Sequence, residues 1–406
     1  MMTSNDKRIL AIGSGWEQYS LIKEIKNQGY EVVATHPNMN TTGFKIADYY
    51  YVKDSRNISS HLNIAEAHNV DGVITDNCDY SFYTATIVAQ NLGLPFNDIH
   101  AGILSNDKYE QRIQCEEAGI LQPEYYQVKT LESLKRACDS LGYPVIVKPI
   151  DSRGTFGITI VRSADKIEEA FVDGISKSHS RRLICEKYIE GTLITVDGFC
   201  FKNGHKSLAV ASREFEKGPK PVTIEIIYPA ELSTDIQKKL RKNHEKVVDA
   251  LGYKQGHTHG EYIISDNDDI YLVECTNRGG GVYTSSVILP HLTSINLNKI
   301  LLDQSLGIDN YEVEDFGLDF MKKSIMLTFL DFEVNKVIKS INIDEVRSLP
   351  YVIRFRSIFG ENDMVESVEN CASRHSMLVI EGKTNTEVRN NLNDFKSKLK
   401  IEYHVI

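Results

Sequence analysis

A lysine at the end of an apolar run is followed by a glycine-rich loop in the segment YPVIVKPIDSRGTFGI, residues 143–158. The run predicts a strand that carries Lys148 at its exit, where the ammonium group can face a ligand. Arg153, Gly154 and Gly157 follow, and glycines let backbone N–H groups approach an anion closely. The P-loop spacing G-x-x-x-x-G-K-[ST] is absent from the segment. It therefore predicts an anion-binding loop of another kind, with phosphate as the candidate ligand.

Two glutamates are candidates for a metal site. Glu261 lies in HTHGEYI and Glu274 in YLVECTNRGGG, and the turn DNDDI between these runs predicts an antiparallel hairpin. Pairing of the two strands would bring both carboxylates to one end and one face of a sheet. Oxygen ligands without cysteine partners favour Mg²⁺ or Mn²⁺ over zinc. Either glutamate alone is more simply a surface residue, but their position beside NRGGG favours the metal site.

Arg278 and the three glycines after it form a second candidate anion site. A guanidinium can hold a carboxylate or phosphoryl group by two parallel hydrogen bonds, and Gly279, Gly280 and Gly281 permit close approach. The alternative is a flexible turn beside a solvated arginine.

The run LICEKYIEG reads as a strand that turns into a connector ending in glycine. Such a connector can offer the backbone N–H and C=O pair that an adenine edge needs. Glu186, Lys187 and Glu190 would otherwise be solvated residues of an exposed face.

Other common catalytic patterns have little support. Gly13 and Gly15 follow the first predicted strand, but the third glycine of G-x-G-x-x-G falls on Gln18, which makes a nicotinamide site improbable. No G-x-S-x-G elbow for a serine nucleophile is present. His257 and His259 lie near the two glutamates, yet the sequence does not identify either as a general base.

Strands and helices alternate from the N-terminus to about residue 103, which predicts a parallel sheet flanked by helices. A ligand crevice is expected at the carboxyl ends of its strands. The predicted strands are RILAIG, YEVVATH, ADYYYV, VDGVITD and LPFND. Three helices are predicted: one around Leu21, one at 58–68 and one from Tyr80 to Leu92.

A different order of elements begins near Asp107 and continues to the end of the chain. It contains the lysine strand and the carboxylate hairpin. The further predicted strands are QPEYYQV, RRLICEKYI, LITVDGFCF, SLAVASREF, KKSIMLTFLDF and IEYHVI, and the predicted helices begin near 107–108 and cover 131–141, DKIEEAFVDGIS, Thr234 to Leu251 and 384–398.

Composition narrows the class of protein. The 406 residues are 41% hydrophobic and 25% charged, enough for two or three domains, and the formal charge is −10. This acidity, without long Lys/Arg runs, argues against nucleic acid or an anionic membrane as partner. The seven cysteines form no C-x-x-C pair, and no apolar run is long enough to span a membrane. A reduced, cytoplasmic protein is expected.

In this order, NDKYEQRIQCEEAGILQPEY, YPVIVKPIDSRGTFGI, LICEKYIEGTLITVDGF, HTHGEY and YLVECTNRGGG resemble the ATP-grasp superfamily, over nearly the whole chain. The resemblance implies an α/β and α+β fold with three parts. These are an N-terminal parallel α/β domain at 1–103, an ATP-grasp domain of two subdomains at 104–309, and a small C-terminal α+β domain at 310–406, similar to that of L-amino acid ligases and biotin carboxylase.

The resemblance also implies roles for individual residues, with ATP and Mg²⁺ (or Mn²⁺) as cofactors. The lysines that would bind phosphate are Lys108 and Lys148, and the loop that would close over the triphosphate consists of Ser152, Arg153, Gly154, Thr155 and Gly157. Adenine would be contacted by Glu186, Lys187, Tyr188 and Ile189. The metal would be bound by Glu261 and Glu274, and Arg278 would hold the substrate carboxylate and its acyl phosphate.

Two positions depart from the pattern of many relatives. In the metal motif E-x-N-x-R the asparagine position is Thr276 and the asparagine follows as Asn277, so either residue is a candidate third ligand. Leu193 replaces a ribose-binding glutamate, so Glu190 or another group would bind the ribose, or no group does.

The chemistry implied is phosphorylation of a small carboxylic or amino acid by ATP, followed by attack of an amine to form an amide or peptide bond. The alternatives are an ATP- and bicarbonate-dependent carboxylase and a non-catalytic ATP-binding regulatory protein. The partners expected are a small-molecule carboxylate and amine. A homodimer is expected because dimers are common among the proteins that the chain resembles.

Overall fold

The chain folds around three main sheets in a computed structural model that describes residues 7–215, 223–313, 323–368 and 373–404. A parallel sheet is followed by a four-stranded antiparallel sheet and an eight-stranded antiparallel sheet, with helices packed against each. The mixed α/β and α+β class predicted from the sequence is confirmed. Residues such as Cys371 lie outside the described residues.

The N-terminal sheet has four parallel strands in the order β3-β2-β1-β4. Apolar residues of β1 and β2 are almost fully buried because helices cover both faces of this sheet. The strands are β1 (Arg8–Ile12), β2 (Glu31–His36), β3 (Tyr49–Val52) and β4 (Gly72–Ile74), and the helices are α1 (Tyr19–Asn27), α2 (Ile58–His68), α3 (Asp79–Leu92) and α4 (Ile99–Asn106).

The fifth strand predicted for this sheet, LPFND at 94–98, is wrong. These residues form an irregular connection. Asn97 is buried, and its side chain binds the backbone of Lys254 and Gln255 in the distant eight-stranded sheet region. Phe96 packs against Phe82 of α3. Side-chain anchoring to two different elements therefore replaces the strand ladder that the short apolar run suggested.

A smaller antiparallel sheet has the order β5-β8-β6-β7 and carries the lysine strand in its interior. Helices α6 and α7 pack on it through a core that includes Leu134, Val147 and Leu183. The elements are β5 (Tyr125–Val128), β6 (Val145–Pro149), β7 (Thr159–Val161), β8 (Leu183–Lys187), α5 (Lys108–Glu117), α6 (Leu131–Leu141) and α7 (Ile167–Lys177).

The eight-stranded antiparallel sheet has the order β13-β12-β9-β10-β11-β14-β17-β16. Strand β15 pairs with β18 in a separate two-stranded sheet. The strands are β9 (Thr192–Phe201), β10 (Gly204–Phe215), β11 (Thr223–Tyr228), β12 (Gly256–Ile264), β13 (Ile270–Thr276), β14 (Ser324–Thr328), β15 (Ile338–Ile341), β16 (Val352–Ser357), β17 (Ser376–Gly382) and β18 (Ile401–Tyr403).

Helices flank this large sheet, and the long amphipathic α8 packs on β10 through Leu240 and Val247. The helices are α8 (Thr234–Ala250), α9 (Leu289–Thr293), α10 (Leu297–Ser305), α11 (Ile343–Arg347) and α12 (Asn385–Lys398). Strand β14 pairs with β11, so the sheet continues across the predicted boundary at 309–310. The boundary after residue 103 falls within α4. The three-domain division stays a prediction.

The six cysteines within the described ranges are buried free thiols. Among the helices of those ranges, none combines the length and the apolar character needed to cross a lipid bilayer.

Candidate active site

Lys108, at the start of α5, contacts the hairpin that carries Glu261 and Glu274. The side chain of Asp107 caps α5 by accepting hydrogen bonds from the backbone N–H groups of Tyr109 and Glu110. This cap fixes Lys108 in the first turn of the helix. The Lys108 Nζ atom lies 3.0 Å from Glu274 Oε1 and donates to the carbonyl oxygen of Ser152 at 2.8 Å. Burial opposes the charge of Lys108, but the attraction of Glu274 outweighs it and raises the pKa of the ammonium group. One lysine thus contacts both the glycine loop and the hairpin.

Lys148 belongs to a buried ion network that the sequence did not predict. Its Nζ lies 2.9 Å from one oxygen of Glu186, and Arg112 Nε lies 2.9 Å from the other. All three side chains are at most 4% exposed. Arg112 also donates to the carbonyl of Val273 at 2.6 Å, so it ties the two antiparallel sheets together.

Burial and the neighbouring charges of this network shift the pKa values of its members. Burial favours the neutral form of Glu186, but the attraction of Arg112 and Lys148 outweighs it and lowers the pKa of the carboxyl group. Burial lowers the pKa of Lys148 against the opposing attraction of Glu186. Opposite charges in contact are the arrangement in which buried ions are tolerated.

The connector after β8 keeps backbone donors available. The N–H of Lys187 donates to the Glu124 carbonyl at 2.8 Å, and that of Tyr188 donates to the Pro144 carbonyl at 3.2 Å. Within the described ranges, the N–H of Ile189 has no hydrogen-bond partner. Glu190 is exposed in the same connector. The carboxylate of Glu186 is committed to the ion network and is therefore not available to contact a ligand edge.

The glycine loop connects β6 to β7 and folds on itself. Ser152 Oγ donates to the carbonyl of Phe156 at 3.1 Å. Gly154 and Gly157 have φ of +61° and +73°, where a side chain is strained. At Gly157 a Cβ would also lie 2.9 Å from Pro149 Cγ. Both glycines are therefore needed for the loop's path, while Thr155 lies between them and partly buried.

The two candidate metal ligands are direct cross-strand neighbours. Glu261 of β12 pairs in register with Glu274 of β13, and both side chains keep about a quarter of their surface exposed, at 26% and 24%. Glu261 forms an ion pair with Arg213, and attraction by this arginine overcomes burial and lowers the pKa of the carboxyl group.

This donor set fits Mg²⁺, which commonly binds one or two carboxylates together with water and substrate phosphates. Within the described ranges, no cluster of three or more His, Cys, Asp or Glu side chains is arranged to hold a metal ion. The predicted hairpin brings the glutamates together, and their metal-binding role stays a prediction.

Asn277 is turned to other partners. Its side-chain N–H groups donate to the carbonyls of Gln255 and His257, at 3.0 and 2.8 Å. Thr276, two residues after Glu274, shares the Glu274 face of β13 because strand side chains alternate. These contacts use only the amide N–H groups, and Asn277 Oδ1 has no hydrogen-bond partner within the described ranges. The choice between Thr276 and Asn277 as third ligand stays a prediction.

His259 forms a second network that sequence reasoning missed. Its Nδ1 lies 2.7 Å from Asp197 Oδ1, and its Nε2 lies 3.7 Å from a carboxylate oxygen of Glu261. Tyr228 donates to the other Asp197 oxygen at 2.8 Å. Burial opposes the imidazolium, but the attraction of Asp197 outweighs it and raises the pKa of His259 to about 9. His257 packs edge-on against Phe199 and is a core residue.

Arg278 is held by Asp79, the first residue of α3. Its Nε and Nη2 donate to the two Asp79 oxygens at 2.8 and 3.2 Å. Burial opposes the guanidinium charge, but the attraction of Asp79 raises the pKa of Arg278 further. The neighbouring Asp76 accepts from the N–H of Gly279 at 2.7 Å, so the N-terminal sheet positions the glycine triplet. At Gly279 a Cβ would lie 2.2 Å from Ser285 Cβ, which excludes a side chain there.

A cavity of about 360 Å³ opens at the carboxyl ends of β1 and β2, where the sequence predicted a ligand crevice. Gly13, Gly15 and Trp16 form part of its wall, and so do Lys53, Arg153 and Arg356. Arg153 belongs to the glycine loop, yet its Nη1 donates to Cys78 Sγ at 3.3 Å. Glu17 accepts from the N–H of Val282 at 2.5 Å. The loop therefore contributes to a cavity of the N-terminal sheet.

Comparison with known proteins relates the central part of the chain to a known domain. Residues 141–286 match the ATP-grasp domain. This range includes Lys148, the glycine loop, both glutamates and Arg278, while Lys108 precedes it.

Relatives and solved structures extend the likeness beyond that range. The formate-dependent phosphoribosylglycinamide formyltransferase of Wolinella succinogenes is 27% identical over 289 residues, which cover 68% of this chain and 71% of that protein. The crystal structure of the L-amino acid ligase from Bacillus licheniformis has a TM-score of 0.85 at 17% identity, covering 99% of this chain and 100% of that one.

A third comparison is with the biotin carboxylase domain of Hydrogenobacter thermophilus 2-oxoglutarate carboxylase, a domain dimer in complex with MgADP, ADP and bicarbonate. It has a TM-score of 0.78 at 17% identity and covers 98% of this chain and 91% of that one. Residues 141–286 are thus an ATP-grasp domain, and the chain around them is similar to proteins of the carboxylate-amine ligase branch.

Proposed function

We propose that this protein is an ATP-dependent carboxylate-amine ligase. A small carboxylic or amino acid is phosphorylated by ATP to an acyl phosphate, and an amine then displaces phosphate to form an amide or peptide bond. The observation that supports this most directly is the position of Lys108, whose Nζ contacts both Glu274 and the glycine loop. One cation thereby links the proposed metal site to the proposed phosphate loop.

ATP would lie between the two antiparallel sheets. Lys108, Lys148 and the backbone N–H groups of 152–157 would bind its phosphates, and the N–H of Ile189 would face the adenine edge. Glu261 and Glu274 would hold Mg²⁺, which when bound neutralises charge on the phosphates. Fixed cations and N–H groups act strongly here because they need no rearrangement as charge moves to the transferred phosphoryl group.

Arg278 would orient the acyl substrate. Asp79 occupies two of its N–H donors, and Nη1 donates to the Gly279 carbonyl at 3.0 Å. A guanidinium carries five N–H donors, so the pairing leaves donors for a substrate carboxylate and for the acyl phosphate made from it. Asp79 thus acts as a positioning residue, and Arg278 as the group that contacts substrate.

The cavity at the N-terminal sheet would hold the amine substrate. Lys53, Arg153 and Arg356 line it, and none of the three forms an ion pair within the part of the chain that the structure describes. Glu17 is a carboxylate in the same wall, so three cations face one acid, and this excess of positive charge favours a ligand with an anionic group. The name of the Wolinella relative points to phosphoribosylglycinamide, an amine that carries phosphate. An amine with a phosphate or carboxylate group is the proposed class of substrate.

A second candidate is an ATP-dependent carboxylase that uses bicarbonate. The solved biotin carboxylase domain that this chain resembles was crystallised with bicarbonate and MgADP. In that case bicarbonate would take the place of the carboxylic acid beside Arg278, and carboxyphosphate would be the acyl phosphate.

The test is a screen for ADP and phosphate release over pairs of acids and amines, with mass spectrometry of the product. A ligase requires both an acid and an amine and yields one amide per ADP. Release that depends on bicarbonate would identify the carboxylase instead. Tight ATP binding with no release for any pair would contradict both and favour a regulatory protein.

The proposed assembly is a homodimer in the cytoplasm. The biotin carboxylase domain that this fold resembles was solved as a dimer. Light scattering after size-exclusion chromatography measures the mass directly, and a monomer at working concentration would contradict the proposal.

A further inference from the structure

We propose that Arg153 couples the two substrate sites: an anionic group bound in the N-terminal cavity holds this arginine, and with it the glycine loop, over the nucleotide. The inference rests on the proposed function, because it takes the loop as the part that covers ATP. It goes further by making nucleotide binding depend on occupancy of the amine site.

Neighbouring residues of the loop contact different sites. The carbonyl oxygen of Ser152 accepts a hydrogen bond from Lys108 at 2.8 Å, on the nucleotide side. The guanidinium of Arg153 lines the 360 Å³ cavity together with Lys53 and Arg356, on the side of the N-terminal sheet. A shift of the Arg153 backbone would therefore also move the adjoining Ser152 carbonyl, which lies against Lys108.

The protein itself holds Arg153 only weakly. Its Nη1 donates to Cys78 Sγ at 3.3 Å, and a thiol sulfur is a weak acceptor. Its guanidinium carbon lies 5.7 Å from the centre of the Tyr80 ring, and the guanidinium carbon of Arg56 lies 5.1 Å from the same centre. Arg153 forms no salt bridge among the residues that the structure describes. An anion in the cavity would supply the strong acceptor that these contacts lack.

The residues that Arg153 contacts also lie beside Arg278, the proposed acyl-binding arginine. Cys78 and Tyr80 flank Asp79, which holds Arg278 by two hydrogen bonds. The start of α3 is therefore in contact with the glycine loop on one side and with Arg278 on the other. An occupied cavity would order the loop against the helix that positions the acyl-binding group, so that phosphoryl transfer begins with the amine in place.

Such coupling is reciprocal and can be measured as a change in affinity. The probes are the non-hydrolysable ATP analogue adenylyl imidodiphosphate with Mg²⁺, and inorganic phosphate or malonate as the anion. Calorimetry of the full-length protein gives analogue affinity with and without saturating anion at constant ionic strength. Hydrogen exchange of the peptide around 150–160 reports on the loop itself. The phosphate and malonate arms distinguish a phosphorylated amine from a carboxylated one.

In the wild type we expect an anion to tighten analogue binding by about fivefold or more and to slow exchange in the loop. In Arg153→Gln the analogue still binds, but the anion no longer changes its affinity. Lys53→Gln is the matched control, since Lys53 lines the same cavity from outside the loop. The Lys53→Gln variant should bind the anion more weakly, but at saturating anion its analogue affinity should rise by the same factor as in the wild type.

Two results would overturn the coupling: a wild type in which neither anion changes analogue affinity, or an Arg153→Gln protein that keeps the wild-type factor. Failure of the proposed function looks different, because the wild type would then release no ADP with any pair of acid and amine, whether or not an anion changes its affinity for the Mg²⁺–analogue complex.

Discussion

Arg278 and Asp79 form a two-point ion pair across 199 residues of sequence, with N–O distances of 2.8 and 3.2 Å. The pair connects the end of β13 to the start of α3, and so connects the region of the candidate metal ligands to the N-terminal sheet. Arg278, the proposed acyl-binding group, is therefore oriented by a carboxylate from the part of the chain that lines the N-terminal cavity.

The first prediction concerns this pair. Asp79→Asn should lower kcat/KM for the acid substrate on the order of 100-fold, because small displacements of a positioning group have effects of that size. The KM for ATP should change little. Steady-state ADP release with the acid varied at saturating ATP measures both values.

Glu402→Gln is the control for that prediction, since it removes an exposed ion pair with Lys339 at 3.3 Å. An Asp79→Asn enzyme with unchanged kcat and acid KM would show that Arg278 needs no partner to act.

The second prediction concerns the metal. Glu274→Gln keeps an oxygen acceptor for Lys108 but removes a charged Mg²⁺ ligand. The Mg²⁺ concentration for half-maximal ADP release should rise at least on the order of tenfold, since even residues behind the ligands alter affinity that much. Titration of Mg²⁺ at fixed ATP measures it. Glu381→Gln, on β17 beside Lys323, should show the wild-type requirement, and an unshifted Glu274→Gln curve would remove Glu274 from the site.

The third prediction concerns stability. Glu186→Gln leaves Arg112 and Lys148 buried without their shared counter-charge, and loss of one partner of a buried pair costs about 3–5 kcal/mol. The free energy of unfolding from urea titration should fall by about that amount. Glu190→Gln, exposed in the same connector, should stay within about 0.5 kcal/mol of wild type. Equal stability of the two variants would argue against the network.

The fourth prediction concerns acid sensitivity. Burial lowers the pKa of His205 to about 3, and its ring packs on His244 at 5.0 Å while Nε2 meets the Thr258 hydroxyl at 2.8 Å. Between an unfolded pKa of about 6.5 and this value, the unfolded chain binds one more proton than the folded protein. The contribution of His205 to the free energy of unfolding should therefore fall by about 1.4 kcal/mol per pH unit as the pH drops below 6.5.

Urea titrations between pH 7.5 and pH 5 test this dependence, a range chosen to begin about one unit above the ordinary histidine pKa. His205→Gln should make the dependence shallower by one proton, and His100→Gln, at an exposed position, should leave it unchanged. A His205→Gln protein with the wild-type slope would contradict the assignment.

Local patterns were sufficient for most elements. The apolar run before Lys148, the turn between the strands of Glu261 and Glu274, and the helix at 131–141 all appear as predicted. Each depends on contacts within a few residues or on the alternation of strand side chains. The run at 94–98 failed because Asn97 is anchored by the backbone near residue 255, and nothing in the run itself signals that contact.

The order of motifs in the sequence was sufficient to predict the ATP-grasp domain, the fold class and the charged residues that are proposed for catalysis. Only the tertiary structure decided their partners: Arg112 with Glu186, Asp79 with Arg278, Asp197 with His259, and Arg153 with the N-terminal cavity. The physical reason is that alternation tells which face a side chain occupies, whereas an ion pair depends on which distant element is packed against that face. That packing is decided by the whole core, so no short stretch of sequence encodes it.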